Sequence, residues 1–234
     1  MTHFNLWRDL TTGDPIYRNM ADRADYHWKI DEGSGGTITC SVTGEVGTIN
    51  GASWVSGDWI GGYGLEFAAG DWVQFDLDST AFGGEEQMWV SVAFTDYEPN
   101  NRGILASVVD TSDSDRWNLE TGSWDQDGRI GWWMSGDNNI TSGAGSVSAD
   151  TQYHTIGIHD NLNDNREIML NDQSMNTTTS SGTVPGGEPT TFKIGRRGSG
   201  SREFVGVIGE VMIGFTGLTR DEKTALYDRQ PFSQ

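Results

Sequence analysis

The chain of 234 residues carries 34 acidic against 15 basic side chains, a formal net charge of −19 and a pI near 4.3. Such a surface repels polyanions, which excludes nucleic-acid binding through phosphate neutralisation. No stretch approaches the ~18 consecutive apolar residues of a membrane-spanning helix, and ten Trp, nine Phe and six Tyr exclude a disordered chain.

The acid excess is mostly aspartate, and lysine occurs only at Lys29, Lys193 and Lys223. Short carboxylates hold water and cations, whereas lysine stems expose methylenes that concentrated salt drives to associate. Salt also screens the self-repulsion of so large a charge. The composition therefore reads as a halophile-type surface, with an ordinary acidic mesophilic domain as the alternative.

In chain order, Phe4, Leu6, Trp7 and Leu10 are too apolar for a solvated tail, and Gly13-Asp14-Pro15 marks a turn. Residues 1–23 are expected to form an arm. It is either tucked against the domain that follows, 24–234, or anchored in another subunit or scaffold. The opening MTHFNLWRDL has no basic region followed by an apolar run, so no secretory signal is expected. Cys40 has no second cysteine to pair with and is expected to be an idle, buried thiol.

Thirty-two glycines and five prolines punctuate short apolar-aromatic runs, the pattern of a sandwich or barrel. After runs near His27 and Leu65, Trp72–Leu77 and Trp89–Phe94 alternate inward and outward side chains. Gly103–Val109 reads as a more buried strand. Asp127-Gly128 signals a hairpin leading into Arg129–Met134. Tyr153–His159 and Arg166–Leu170 read as strands joined through Asn161–Asn165. A tight turn follows at Asn171-Asp172, residues tolerant of positive φ. Phe192–Gly195 and Phe204–Phe215 complete about a dozen strands, more than a minimal sandwich uses. Thr219-Arg220-Asp221-Glu222 is a capping box with Leu218 placed to staple. Since Pro231 stops the helix continuing, a single short surface helix ending near Asp228 is predicted.

Four segments in register carry a family resemblance. His27-Trp28-Lys29-Ile30-Asp31-Glu32-Gly33-Ser34-Gly35-Gly36 resembles the opening strand and turn of laminin-G-like jelly rolls, in the concanavalin A-like lectin/glucanase superfamily. Gly47–Gly57, and then Gly64–Phe67 with Gly70–Val73, are similar to the segments that follow there. Phe204–Ile213 with Leu218–Glu222 resembles the closing strand and helix start. The resemblance covers residues 24–230 and implies two antiparallel sheets of about six strands each, one curved over the other. The expected fold class is all-β, a two-sheet antiparallel jelly-roll sandwich with one short C-terminal helix.

Glucanases of that superfamily set catalytic acids along one strand in a Glu-x-Asp-x-x-Glu-type pattern, so that nucleophile and general acid share a face. The sequence has no such pattern. Glu85-Glu86 adjoins Gly83-Gly84 as a loop, and Asp76-x-Asp78 sits at a strand end. No catalytic residue and no enzyme activity are expected. His154 and His159, five apart in one strand, face opposite ways and cannot share a metal. The resemblance leaves a rim Ca²⁺ open, and Asp110-x-x-Asp113-x-Asp115 and Asp125-x-Asp127-Gly128 are oxygen-rich loops. Neither has the closing Glu of a twelve-residue calcium loop. Gly209 also stands where the family motif has Asp before Glu210, so no ligands are assigned and no other cofactor is implied.

Trp132-Trp133 must send one ring to each sheet face. Trp28, Trp72, Trp89 and one of that pair are expected in the core. Trp54, Trp59, Trp117 and Trp124 lie in Gly-, Ser- or Asp-rich segments, where packing and contact with a glycan or a neighbouring subunit both stay open.

The expected function is a non-enzymatic virion surface structural protein of a virus of halophilic archaea, a spike, turret or fibre subunit contacting host-surface glycans. It would be made in the host cytoplasm and released with the particle. Its partners would be copies of itself and other virion proteins, held through Phe4, Leu6, Trp7 and Leu10, with no nucleic acid and no membrane insertion. The alternatives are an exported carbohydrate-binding or adhesion domain at the surface of a haloarchaeon, and a degenerate glycoside hydrolase.

Overall fold

A computed structural model describes residues 20, 23–77, 82–110, 112, 114–122, 127–136, 139–180, 182–185, 190–198 and 202–233. The arm residues Phe4, Leu6, Trp7 and Leu10, with Trp124, lie outside the described residues.

The chain runs through β1 (Tyr26–Trp28), β2 (Thr37–Thr39), β3 (Val46–Asn50), β4 (Ser53–Ser56) and β5 (Tyr63–Phe67). Next come β6 (Trp72–Leu77), β7 (Gln87–Asp96), β8 (Gly103–Val109), β9 (Asp115–Thr121) and β10 (Ile130–Met134). The series continues with β11 (Ile140–Thr141), β12 (Gln152–Asp160), β13 (Asn165–Leu170) and β14 (Gln173–Thr178). β15 (Thr190–Ile194), β16 (Gly206–Gly214) and the C-terminal helix (Arg220–Asp228) close the fold.

These strands make two eight-stranded antiparallel sheets. The back sheet has the order β14-β13-β12-β7-β16-β5-β4, with β1 also paired to β16. The front sheet has the order β11-β10-β9-β8-β15-β6-β3-β2. The all-β, two-sheet sandwich with a short C-terminal helix is as expected, but each sheet has eight strands, not about six. The additional strands β2, β4, β11 and β14 are short or polar sheet edges. β14 in particular reads Gln-Ser-Met-Asn-Thr-Thr and lacks the apolar period that marks a strand.

Between the sheets, alternate residues interdigitate in an aromatic core. Trp28 stacks on Phe192 at 4.7 Å between centroids and meets Phe75 at 4.8 Å, while Trp117 meets Trp132 at 5.6 Å. Trp117 is fully buried, so of its two readings it is packing that holds. Cys40 is buried, as expected.

The outer face of the back sheet is covered. Trp89, Ile156, Ile158, Met169 and Met212 point outward from β7, β12, β13 and β16, and would meet water were Ala225 and Leu226 of the helix not packed on them. Trp89 is therefore buried under the helix rather than between the sheets, contrary to expectation. Each large apolar side chain removed from water contributes about 1.5–3 kcal/mol before ordering costs. Met20 and Ala24 join the same cluster, and Arg23 bonds Thr216 and Gly217 and pairs with Glu222, so the end of the arm is tied to its own domain.

The helix begins as its sequence specifies. Thr219 Oγ1 accepts from the Glu222 backbone N–H at 3.3 Å, and the Glu222 carboxylate accepts from the Thr219 N–H at 2.8 Å. A buried polar latch holds its far end. Glu210 on β16 receives His27 Nε2 at 2.7 Å, Arg229 Nη2 at 3.0 Å and Gln230 Nε2 at 2.9 Å. Burial works to raise the Glu210 pKa, but the Arg229 charge and the His27 and Gln230 bonds outweigh it and hold the carboxyl below its usual range.

Gly209 is the extra residue of a β-bulge in β16. A Cβ there would lie 2.1 Å from Cε3 of Trp59, whose ring is folded onto this stretch against Ala93 and Val207. Trp59 is thus a buried cover, not a free loop aromatic, and it explains why the aspartate of the family motif has no room here. Gly209→Ala is expected to destabilise the domain by about 1–3 kcal/mol. In chemical denaturation the Trp59→Ala/Gly209→Ala pair should lose less than the sum of the singles.

His154 sits beneath the same helix, fully buried, with Nε2 2.7 Å from Ser91 Oγ. Burial depresses its pKa to about 3, with the Arg229 charge adding to the effect and Glu210 opposing it. The folded state therefore keeps the ring neutral while the unfolded chain protonates it near 6.5. Stability should be fully present above that value and fall as pH drops through it toward about 3. Between pH 7 and 5, the pH slope of stability should be shallower in His154→Asn than in the parent.

Candidate functional site

With the back sheet covered, the front sheet offers the other broad face. Its outward residues follow from alternation: in β6, Val73 and Phe75 enter the core, so Trp72, Gln74 and Asp76 face out. In β9, Trp117 and Leu119 enter the core, so Arg116, Asn118 and Glu120 face out. Strand registers align a ladder of outward residues across the sheet. Trp133 pairs with Asn118, Asn118 with Ser107, Ser107 with Lys193, Lys193 with Gln74, Gln74 with Thr48, and Thr48 with Thr37.

Of Trp132 and Trp133, the first is fully buried in the core and the second half-buried on this face, as the dipeptide's alternation requires. Trp72, expected in the core, is also half-buried on the outside. The Arg196 guanidinium lies over its ring at 4.4 Å from the centroid. Trp54 is half-buried against the core edge and donates Nε1–H to Gly35 O at 2.8 Å.

The described parts of the β15–β16 connection, at Arg196 and Arg202, are bonded to β8 at one end of this face. Ser107 Oγ donates to Arg196 O at 2.9 Å, and the Ile104 N–H donates to Arg202 O at 3.1 Å. Beneath it, Glu120 is 1% exposed and receives Arg102 through Nε at 2.8 Å and Nη2 at 2.7 Å, a bidentate pair. Asp115 is paired with Arg197 and accepts from Asn118 Nδ2 at 3.2 Å. Burial pushes the Asp115 pKa up, and the Arg197 and Arg202 charges only partly oppose it. Asn118 Oδ1 and Asp115 Oδ1 are buried without a hydrogen-bond partner.

The described aspartates Asp110 and Asp127 of the two oxygen-rich loops are held by protein partners. Asp110 Oδ1 accepts from Ser112 N, Ser112 Oγ and Ser114 N, while Arg116 takes its Oδ2 at 3.0 Å. Asp127 is held by Arg129 at 2.7 and 3.0 Å. Asp113, Asp125 and Asp78 lie outside the described residues. Among the described residues no group of three or more His, Cys, Asp or Glu side chains could hold a metal. His154 and His159, buried on opposite faces of β12, do not meet.

Sequence reasoning missed β9 and the arginines around it. The signals were there: Arg-Trp-Asn-Leu-Glu at 116–120 alternates with period two, and Arg196, Arg197 and Arg202 cluster in a chain with only twelve arginines.

A family model described as the Concanavalin A-like lectin/glucanases superfamily matches residues 86–222, more than half of the chain. No curated protein sequence matches it. Among solved structures, the sialidase of Trypanosoma rangeli bound to 2,3-difluorosialic acid is similar at a TM-score of 0.64 and 13% identity, over 91% of this chain and 37% of that one. The ligand-binding domain of botulinum neurotoxin serotype D, in complex with N-acetylneuraminic acid, gives 0.69 and 10%, over 92% of this chain and 53% of that one. Domain 4 of an extracellular arabinanase from Geobacillus stearothermophilus, in complex with arabinotriose, gives 0.67 and 15%, over 88% of this chain and 98% of that one. The chain thus spans about a third to a half of the first two. These likenesses are of fold, and the fold agrees with the family model: two antiparallel sheets around an aromatic core, with β16 and the capped helix closing the back. The chain belongs to the Concanavalin A-like lectin/glucanases superfamily.

Proposed function

We propose that the chain is a non-enzymatic carbohydrate-binding module whose ligand lies along the outer face of the front sheet. The observation that carries this reading is the half-buried Trp133, set in register at the end of a polar ladder that crosses the sheet. A flat indole offers a sugar ring its apolar face, and further along the ladder Gln74 and Thr48 are accessible to hydroxyls, while Asn118, Ser107 and Lys193 between them are buried. The saccharides in the neurotoxin and arabinanase-domain complexes support a sugar ligand for this fold. The absence of turnover is supported by how the acids of this face are used. Glu120 is committed to a bidentate guanidinium and Asp115 is ion-paired with Arg197, so neither carboxylate is free to act as a nucleophile.

The finer reading is a virion surface subunit of a virus of halophilic archaea, with repeated copies gaining avidity on host glycans. Its support is the net charge of −19 with only three lysines. An exported adhesion domain of a haloarchaeon would share that surface, and finding the chain in purified particles would separate the two.

On a panel of neutral and acidic oligosaccharides, calorimetry should detect a ligand whose affinity falls at least about tenfold in Trp133→Ala, at unchanged melting temperature. Equal affinity in the variant would remove the site from this face. The melting temperature should rise as NaCl or KCl increases from ~0.1 M to ~2 M, because screening relieves carboxylate repulsion. A flat or falling trend would remove the halophile reading.

A further inference from the structure

An acidic chain concentrates its few cations at one place. Arg116 and Lys193 lie on the front sheet, Arg196, Arg197 and Arg202 on the connection over it, and Arg102 immediately before β8, six of the fifteen basic residues. Three of them crowd together. Arg102 and Arg197 are fixed from beneath by Glu120 and Asp115, and Arg202 stands within electrostatic range of both arginines and both acids. Three guanidinium groups thus face two carboxylates. Arg202 is anchored by its backbone, whose carbonyl accepts from the Ile104 N–H, and that backbone is held at φ 64°, a region disfavoured for a side chain of this kind. Crowding like charges costs free energy unless an anion offsets it. Burial first, and then the Arg102 and Arg197 charges, press the Arg202 pKa downward against the opposing pull of Glu120 and Asp115.

We propose that the Arg102, Arg197 and Arg202 cluster binds the acid group of an anionic saccharide, so that the glycan ligand of the front sheet is an acidic sugar. This rests on the glycan-binding reading and adds its chemical class. A guanidinium matches a carboxylate in planar, bidentate fashion. Because Arg197 is anchored by a buried acid, less side-chain freedom is lost when the ligand arrives.

The test is calorimetry on the full chain at two salt concentrations, with trigalacturonate, its fully methyl-esterified form and inorganic sulfate as probes. The acid should bind at least about tenfold more tightly than the ester, with a preference that weakens as salt rises. Arg202→Gln should abolish the preference while leaving ester binding and melting temperature unchanged, and Arg202→Lys should restore part of it. Equal binding of acid and ester overturns the acidic-sugar inference and leaves the lectin reading standing. Binding of neither, together with no ligand on the wider panel, overturns the lectin reading itself. Sulfate displacing the acid at equal concentration reduces the cluster to a general anion site and overturns the inference. An undiminished acid preference in Arg202→Gln also overturns it.

Discussion

A two-sheet sandwich hides one face of each sheet in its core and must do something with the other two. Here they are treated oppositely. The back sheet carries Trp89, Ile156, Ile158, Met169 and Met212 on its outside, which forces a cover, and the C-terminal helix supplies it through Ala225 and Leu226. The capping box at Thr219 and the Glu210 latch to His27, Arg229 and Gln230 fix that cover at both ends. Once this face is spent on packing, the front sheet offers the other broad face, whose outward residues are largely polar with Trp72 and Trp133 among them.

The front face also carries charges that a sheet surface does not ordinarily bury. Desolvating a carboxylate is expensive unless it is paired and fully hydrogen-bonded. Glu120 meets that requirement through Arg102, whereas Asp115, with an unpartnered Oδ1 and a raised pKa, meets it only in part. The result is a rigid floor with guanidinium groups above it. Apolar residues would pack the same space at less cost.

Much of the fold was legible, and for local reasons. Trp72–Leu77 is a strand residue for residue, Asn171 adopts φ 56° in its turn, and the helix ends at Asp228. Alternation, left-handed tolerance and capping are properties of neighbouring residues. What alternation cannot say is which of its two faces is the inner one, so Trp72 was assigned to the core and lies outside it. Trp59 and Trp117 were obscured by the polar residues around them, and only tertiary contacts with Gly209 and Trp132 settle their places. The site was the least legible part. Trp133, Asn118, Ser107, Lys193 and the arginines come from β8, β9, β10, β15 and a loop, and strand pairing, which no linear motif records, is what brings them together.

The central claim is that ligand meets the protein on the front sheet at Trp133. Fluorine NMR of the full chain labelled with 5-fluorotryptophan tests it directly, with the Trp133 signal assigned by its loss in Trp133→Phe. Titrated with the oligosaccharide that binds most tightly in a mixed neutral and acidic panel, the Trp133 resonance should shift while those of Trp28, Trp89 and Trp117 stay in place. A shift confined to other tryptophans, with Trp133 unmoved at saturation, would contradict the account.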